Sequence, residues 1–153
     1  MTERATLSID RRVWLASTPQ GVFDVLKDPK NWFVLDKALV DVSPRDPIVA
    51  GAAGTMRHHR GPGMNVTTSW ENIAFEPGVQ LDSRVIGPGY KLRESVSLES
   101  ANGGTQMTVV DSVVSTSLFG RLMIAFSRRI MEGDLRARCA NLKTLVETAQ
   151  AEN

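Results

Sequence analysis

The sequence has almost no cysteine, and its positive and negative charges are nearly balanced. It contains one cysteine, Cys139, and 18 Lys and Arg residues against 17 Asp and Glu residues. A single cysteine excludes an internal disulfide and is typical of proteins in a reducing compartment. A nearly neutral chain gives no electrostatic case for nucleic acid as the main partner.

Long hydrophobic runs are also lacking. The most apolar window, Leu118–Phe126, contains Gly120 and Arg121 and is far shorter than the ~20 residues that span a bilayer. The opening MTERATLSID has no apolar run of the kind found in a signal peptide. We therefore expect one domain, residues 1–153, in the cytoplasm and without stable membrane insertion; the sequence does not distinguish a monomer from a homodimer.

The only two histidines, His58 and His59, lie in the stretch GTMRHHRGPGM. Adjacent residues of a strand point to opposite faces, so the two imidazoles cannot bind one ion there. No acidic residue or cysteine lies two positions away to complete a set of ligands. The stretch predicts a strand that runs into a hairpin turn, and we predict no metal and no other cofactor.

Alternation of apolar residues predicts strands along most of the chain. Residues 6–15 form the first strand, with Arg11 on its apolar face. STPQGVFDVL then predicts a helix capped by Thr18, and DPKNWFVL a second short helical turn. In residues 54–76 the parity of apolar positions changes, which predicts a β-bulge near 71–72. This bulge places His58 and Trp70 on the apolar side and His59 in water.

The clearest hairpin is LRESVSLESANGGTQMTVVDSVV, in which Asn102-Gly103 is a strong two-residue turn signal. Centring the turn there sets Glu94 opposite Asp111 on a face that is otherwise apolar. The preceding hairpin sets Ser83 opposite Glu94. The other pairs predicted across these two turns are Leu98 with Met107, Val96 with Val109, Leu92 with Val113, Val85 with Leu92, and Leu81 with Val96.

The chain ends in a long predicted helix, residues 117–149, whose apolar residues follow two lines. The two lines differ by about a third of a turn at 100° per residue, and the change falls near Gly133, which weakens a helix. We predict a kink or irregular turn between Ile130 and Leu135, or burial of one half against something else, such as a second chain. The first line holds Phe119, Met123, Phe126 and Ile130; the second holds Met131, Leu135, Cys139, Leu142 and Val146.

Several phrases, in this order and spacing, resemble the START/Bet v 1-like helix-grip superfamily (SRPBCC), and within it the bacterial polyketide cyclase/dehydrase and lipid-transport group. They are STPQGVFDVLKDPKNW, AFEPGVQLDSRV, GGTQMTVV and LKTLVE. The resemblance implies an α+β fold in which a seven-stranded curved antiparallel sheet wraps around a long C-terminal helix, with two short helices between strands 1 and 2. It also implies a ligand cavity between sheet and helix, and a first strand between strands 2 and 7, with Arg11 near Asp111.

Glu94 and Asp111 are the sharpest candidates for a site, because like charges opposed across a strand pair are unfavourable. One interpretation is a structural cluster neutralised by Arg11; the other is a pair that binds a ligand hydroxyl or amine, or acts in acid–base chemistry. The aromatic and Met residues of the last helix would line the cavity mouth. The predicted ligand-binding set is Arg11, His58, Trp70, Ser83, Glu94, Asp111, Phe119, Met123 and Phe126.

Three functions remain open at this point. The first is binding or transport of a hydrophobic small molecule, such as a lipid or a polyketide-like compound. The second is a polyketide cyclase or dehydratase in which Glu94, Asp111 and His58 move protons; the resemblance carries no fixed catalytic signature that would decide for an enzyme. The third is an interaction module whose apolar helix stretch binds a partner or a membrane surface.

Overall fold

The computed structural model describes residues 6–152, which form an antiparallel sheet and three helices in the α+β helix-grip arrangement. No helix within this range is long and apolar enough to cross a membrane. The elements are β1 (Leu7–Leu15), α1 (Pro19–Leu26), α2 (Pro29–Leu35), β2 (Leu39–Ser43), β3 (Ala53–Gly61), β4 (Met64–Glu76), β5 (Gln80–Gly87), β6 (Tyr90–Ala101), β7 (Gly104–Ser115) and α3 (Leu118–Ala151).

The seven strands are ordered β1-β7-β6-β5-β4-β3-β2. The expectation that β1 lies between β2 and β7 is therefore half wrong: β1 pairs with β7 from Leu7 to Leu15, but β2 forms the opposite edge beside β3. The reason is that β2 is only five residues long and takes all its strand hydrogen bonds from β3. The sheet stays open between its two edge strands.

The predicted hairpin registers are confirmed. Glu94 lies opposite Asp111, Ser83 lies opposite Glu94, and the other predicted pairs occur as well. Asn102 and Gly103 have φ values of 51° and 76°, the positive values that a tight two-residue turn requires. The register of β4 against β5 shifts between Asn72 and Ala74, so the predicted bulge is present one residue further along.

The two short helices begin at the residues that the sequence marks. The Thr18 hydroxyl accepts a hydrogen bond from the Gly21 N–H at 3.1 Å, and Asp28 does the same for Lys30 at 3.0 Å. Each cap is followed by a proline at the first helical position, where no hydrogen bond is lost. α1 then buries Phe23 against the core of the sheet.

α3 is one uninterrupted helix, so the predicted irregular turn between Ile130 and Leu135 does not occur. The side that packs on the sheet continues through Ile124, Met131 and Leu135, which lie within about 40° of one another around the helix axis. The line of Phe119, Met123, Phe126 and Ile130 instead faces away from the sheet, with 73, 50, 78 and 67% of each residue exposed. The line of large apolar residues in the first half was expected to face the cavity mouth; on the side that is buried there, the first half carries Ile124.

Two glycines of α3 should respond to alanine in opposite ways. A Cβ at Gly120 would clash with Ser115 Oγ and lie 2.9 Å from the Gly89 carbonyl oxygen, whereas nothing lies within 4 Å of one at Gly133. Gly120→Ala should lower stability by about 1–3 kcal/mol through overpacking, and Gly133→Ala should raise it by about 1 kcal/mol through helix propensity. Urea unfolding of both variants checks this, and equal effects would contradict it.

Candidate functional site

Arg138 joins the two opposed carboxylates of the sheet. Its Nη1 donates to Glu94 Oε2 at 2.5 Å, and its Nη2 donates to Asp111 Oδ2 at 2.7 Å. The planar guanidinium presents donors in a fixed fork, which suits two acceptors on neighbouring strands. The three side chains form what we call the Arg138 cluster.

The fold places this cluster between α3 and the middle of the sheet. Asp111 and Glu94 face each other on β7 and β6, and Arg138 precedes the buried Cys139 on α3. The Asp111 side chain is 4% exposed, whereas those of Arg138 and Glu94 are 29 and 28% exposed. The cluster is therefore closed at Asp111 and open to solvent at its other two members.

The electrostatics of the cluster keep a proton available at neutral pH. Burial and the negative charge of Glu94 raise the pKa of Asp111 to about 7, although Arg138 opposes them. Burial alone would lower the pKa of Arg138, but Glu94 and Asp111 raise it above its ordinary value. Asp111 Oδ1 is buried and accepts no hydrogen bond from the described residues. When Asp111 is protonated, its hydroxyl can donate to Glu94, which contributes to the raised pKa.

The cation of this pair is Arg138 and not Arg11, which was expected there. Arg11 does lie on the inner side of β1, but its register partner is Val109 and Ile9 is the residue beside Asp111. Among the described residues, both ion pairs of the acidic couple come from Arg138. The sequence pattern did not single out Arg138, yet this residue lies only about 60° around the helix from the predicted core residue Leu135, which was the available signal.

A second polar group lies where α2 meets β3. His58 is 9% exposed, as predicted for the inward histidine, and its Nε2 is 3.1 Å from Asp36 Oδ2. Burial would raise the pKa of Asp36, but the contact with His58 and the Ala38 N–H lower it below its usual value. The charge of Arg138 acts in the same direction, so the two groups are electrostatically linked. His59 is exposed, also as predicted.

The remaining predicted site residues separate into two groups. Ser83 lies beside Glu94 in the sheet, and Trp70 is buried with its ring edge-on to Trp32 at 5.4 Å, so its ring packs in the core. Phe119, Met123 and Phe126, expected at a cavity mouth, lie on the outer side of α3, as the exposures above show.

Within residues 6–152, no group of three or more His, Cys, Asp or Glu side chains is arranged to hold a metal ion.

Two surface depressions lie elsewhere. One is lined by Ala16, Gly103 and Glu147 among others, and a second by Thr18 and Asn102 among others. Both lie at the β6–β7 turn, roughly 23 Å along β7 from Asp111 at 3.3 Å per residue. They are not part of the Arg138 cluster.

A further buried carboxylate, Asp82, was not anticipated, because it lies on the side of the sheet that the pattern marks as solvated. It is 0% exposed. Its oxygens accept hydrogen bonds from Gln80, Arg93 and Ser95. Burial would raise the pKa of Asp82, but these three donors lower it below the usual value. Asp82 is thus fully satisfied and contrasts with Asp111.

Comparison with solved structures supports the fold. A Chromobacterium violaceum protein is 16% identical, with 92% of this chain and 96% of that chain covered and a TM-score of 0.75. A Thermus thermophilus protein is 15% identical, with 94 and 99% covered and a TM-score of 0.72. The di-domain ARO/CYC StfQ of the steffimycin biosynthetic pathway is 11% identical, with 94 and 52% covered and a TM-score of 0.75.

A comparison with curated proteins finds no match. The sequence does match a family model, and the match extends from residue 6 to residue 147. It covers all seven strands, the Arg138 cluster and most of α3. The chain therefore belongs to the polyketide cyclase / dehydrase and lipid transport family.

Proposed function

We propose that this chain binds an apolar small molecule, such as a lipid or a polyketide-like compound, between α3 and the inner face of the sheet. A polar group of the ligand, a hydroxyl or an amine, would contact the Arg138 cluster. The observation that carries the proposal is Asp111 Oδ1, a buried acceptor without a donor from the described residues. Family membership supports a role in ligand binding or polyketide cyclisation.

The surroundings of the cluster fit such a ligand. The neighbouring inner-face positions Val96, Val109 and Val113 are apolar and are packed in the core that also contains Leu135 of α3. They would contact hydrocarbon where a ligand enters between α3 and the sheet. An unpaired buried acceptor costs about 1–3 kcal/mol, and a ligand donor would recover that cost. Access is available from the side of Arg138 and Glu94, which are partly exposed.

A second candidate function, an acid–base enzyme of the cyclase or dehydratase type, is favoured by the pKa of Asp111. A group with a pKa of about 7 is present in both protonation states at neutral pH, which suits a general acid or base. Because Asp111 is closed off and Glu94 is partly exposed, a proton would pass to substrate through Glu94. The predicted third member, His58, is held by Asp36 and would act only after leaving that contact.

Native mass spectrometry of the purified chain tests binding. We expect the parent protein to carry a co-purified small molecule. Asp111→Asn should lower its retention by about 10–100-fold, the equivalent of one hydrogen bond to a charged group. His59→Gln, an exposed position, is the matched control and should retain the molecule.

Two outcomes would count against the proposal: no bound molecule after several gentle purifications, or equal retention in both variants. Incubating the parent protein with the released molecule then separates the two candidate functions. Cyclisation alone leaves the mass unchanged and dehydration removes water, so both mass and chromatographic retention are measured. A change in either that is absent with Glu94→Gln would favour the enzyme, and no change in both would favour the carrier.

A further inference from the structure

The first half of α3 exposes a continuous apolar surface, which we call the outer α3 face. It lies about 150° around the helix from the side that packs on the sheet. Monomeric proteins rarely expose apolar patches larger than a few hundred Å², and six large side chains at half exposure or more reach on the order of that size. The face consists of Leu118, Phe119, Leu122, Met123, Phe126 and Ile130, which are 50–83% exposed.

Positive charge dominates around most of this face, and the acidic residues Glu132 and Asp134 follow at its C-terminal end. From residue 112 to residue 131 the chain has no acidic residue, and it has three arginines. Arg129 lies at the edge of the face and Arg121 beside it, both exposed. Arg128 pairs with Glu132. The combination of exposed aromatic and aliphatic side chains with bordering arginines is typical of helices that lie in a membrane interface.

A second segment that carries arginines lies at the end of the sheet where α3 begins. α3 begins where β7 ends, and the Thr116 N–H donates to Gly89 in the β5–β6 turn; the β3–β4 turn also lies at this end. That turn carries the exposed Arg60 and Met64. Residues 47–70 and 112–131 together hold five of the 18 Lys and Arg residues and none of the 17 acidic ones. The rest of the chain therefore has 13 basic against 17 acidic residues.

We propose that the outer α3 face docks the protein on the surface of an anionic lipid bilayer. The bilayer would take the Phe, Leu, Met and Ile side chains into its interface and would place lipid phosphates beside Arg121 and Arg129. A second copy fits less well, because a two-fold interface brings identical patches together and would bury Arg121 and Arg129. The acidic residues nearest this face are Glu132, which already pairs with Arg128, and Asp134 at the end of the face. The inference is independent of which ligand the Arg138 cluster binds.

Co-sedimentation of the full chain with vesicles tests the proposal. We expect binding to phosphatidylcholine vesicles that contain phosphatidylglycerol, weaker binding to pure phosphatidylcholine, and a decrease with added salt. The double variant Arg121→Gln/Arg129→Gln should weaken binding to the anionic vesicles by roughly 30-fold, at about 1 kcal/mol for each charge. Phe119→Ser/Phe126→Ser should weaken binding to both vesicle types by at least about tenfold.

Val79→Ser is the matched control, since Val79 is 46% exposed and lies at the β4–β5 turn, the opposite end of the sheet. It should bind vesicles as the parent does. Circular dichroism establishes that each variant is folded. Failure of the parent protein to bind anionic vesicles, or undiminished binding by both double variants, would overturn the proposal. So would a dimer in sedimentation velocity that Phe119→Ser/Phe126→Ser dissociates while vesicle binding is absent.

Discussion

Arg138→Met should lower the free energy of unfolding by about 3–5 kcal/mol at neutral pH, because it leaves two buried or half-buried carboxylates without their counter-charge. That loss is a large part of the ~5–15 kcal/mol typical of a domain, so much of the variant should be unfolded. Arg138 is the group that lowers the pKa of Asp111 against burial and the charge of Glu94. Without it, the folded-state pKa of Asp111 rises further.

The loss should therefore depend on pH. When the folded-state pKa of an acid lies above its unfolded-state pKa, folding disfavours the charged form of that acid. The resulting destabilisation is complete above the folded-state pKa and becomes smaller as the pH falls towards the unfolded-state pKa. Thermal melting of Arg138→Met should show partial recovery from pH 8 to pH 5. Arg138→Lys should lie between the parent and Met, because an ammonium lacks the fork that reaches both carboxylates.

Two arginines serve as controls for this experiment. Arg128 forms an exposed pair with Glu132, its side chain 54% exposed, so Arg128→Met should change stability by less than about 1 kcal/mol. Arg11 is the cation first expected to neutralise the pair, and its replacement by Met should also have a small effect. If Arg11→Met lost as much stability as Arg138→Met, the assignment of the cluster to Arg138 would be wrong.

Asp111→Asn should make the stability of the protein less dependent on pH. In the parent, the pKa of Asp111 rises from 3.8 to about 7 on folding. The stabilisation from this group is therefore complete below the unfolded pKa and is lost as the pH rises to the folded pKa. Relative to the parent, Asp111→Asn should gain about 2–3 kcal/mol between pH 5 and pH 8. Urea unfolding at both pH values measures this gain.

Asp82→Asn is the matched control, since Asp82 is equally buried but its pKa is lowered on folding. Its stabilisation is present above the unfolded pKa and is lost as the pH falls through the folded pKa. Asp82→Asn should therefore be less stable than the parent at neutral pH, with the difference shrinking only in acid. The same sign of pH dependence in both variants would show that the proton is not held at Asp111.

Local patterns were sufficient for the two hairpins that join β5, β6 and β7. The Asn102-Gly103 turn sets the register of β6 on β7, and a register error of one residue would move Glu94 and Asp111 to the other face. The same period-2 alternation predicted that His58 points inward and that a bulge lies near Asn72. These features depend on residues that are close in sequence or joined by a tight turn, so the pattern alone predicts them.

Such local patterns could not predict which cation neutralises the acidic pair, where the edge strands lie, or which side of α3 is buried. When a helix has two apolar lines, the contacts at its ends decide which line packs on the sheet. Here Gly120 lets α3 approach Ser115 and Gly89 closely. This approach directs Ile124 inward and Phe126 outward. The same rotation brings Arg138 over Glu94 and Asp111, which are 44 and 27 residues away in sequence. Contacts over such separations depend on how α3 lies across the sheet, and packing of the whole core sets that orientation.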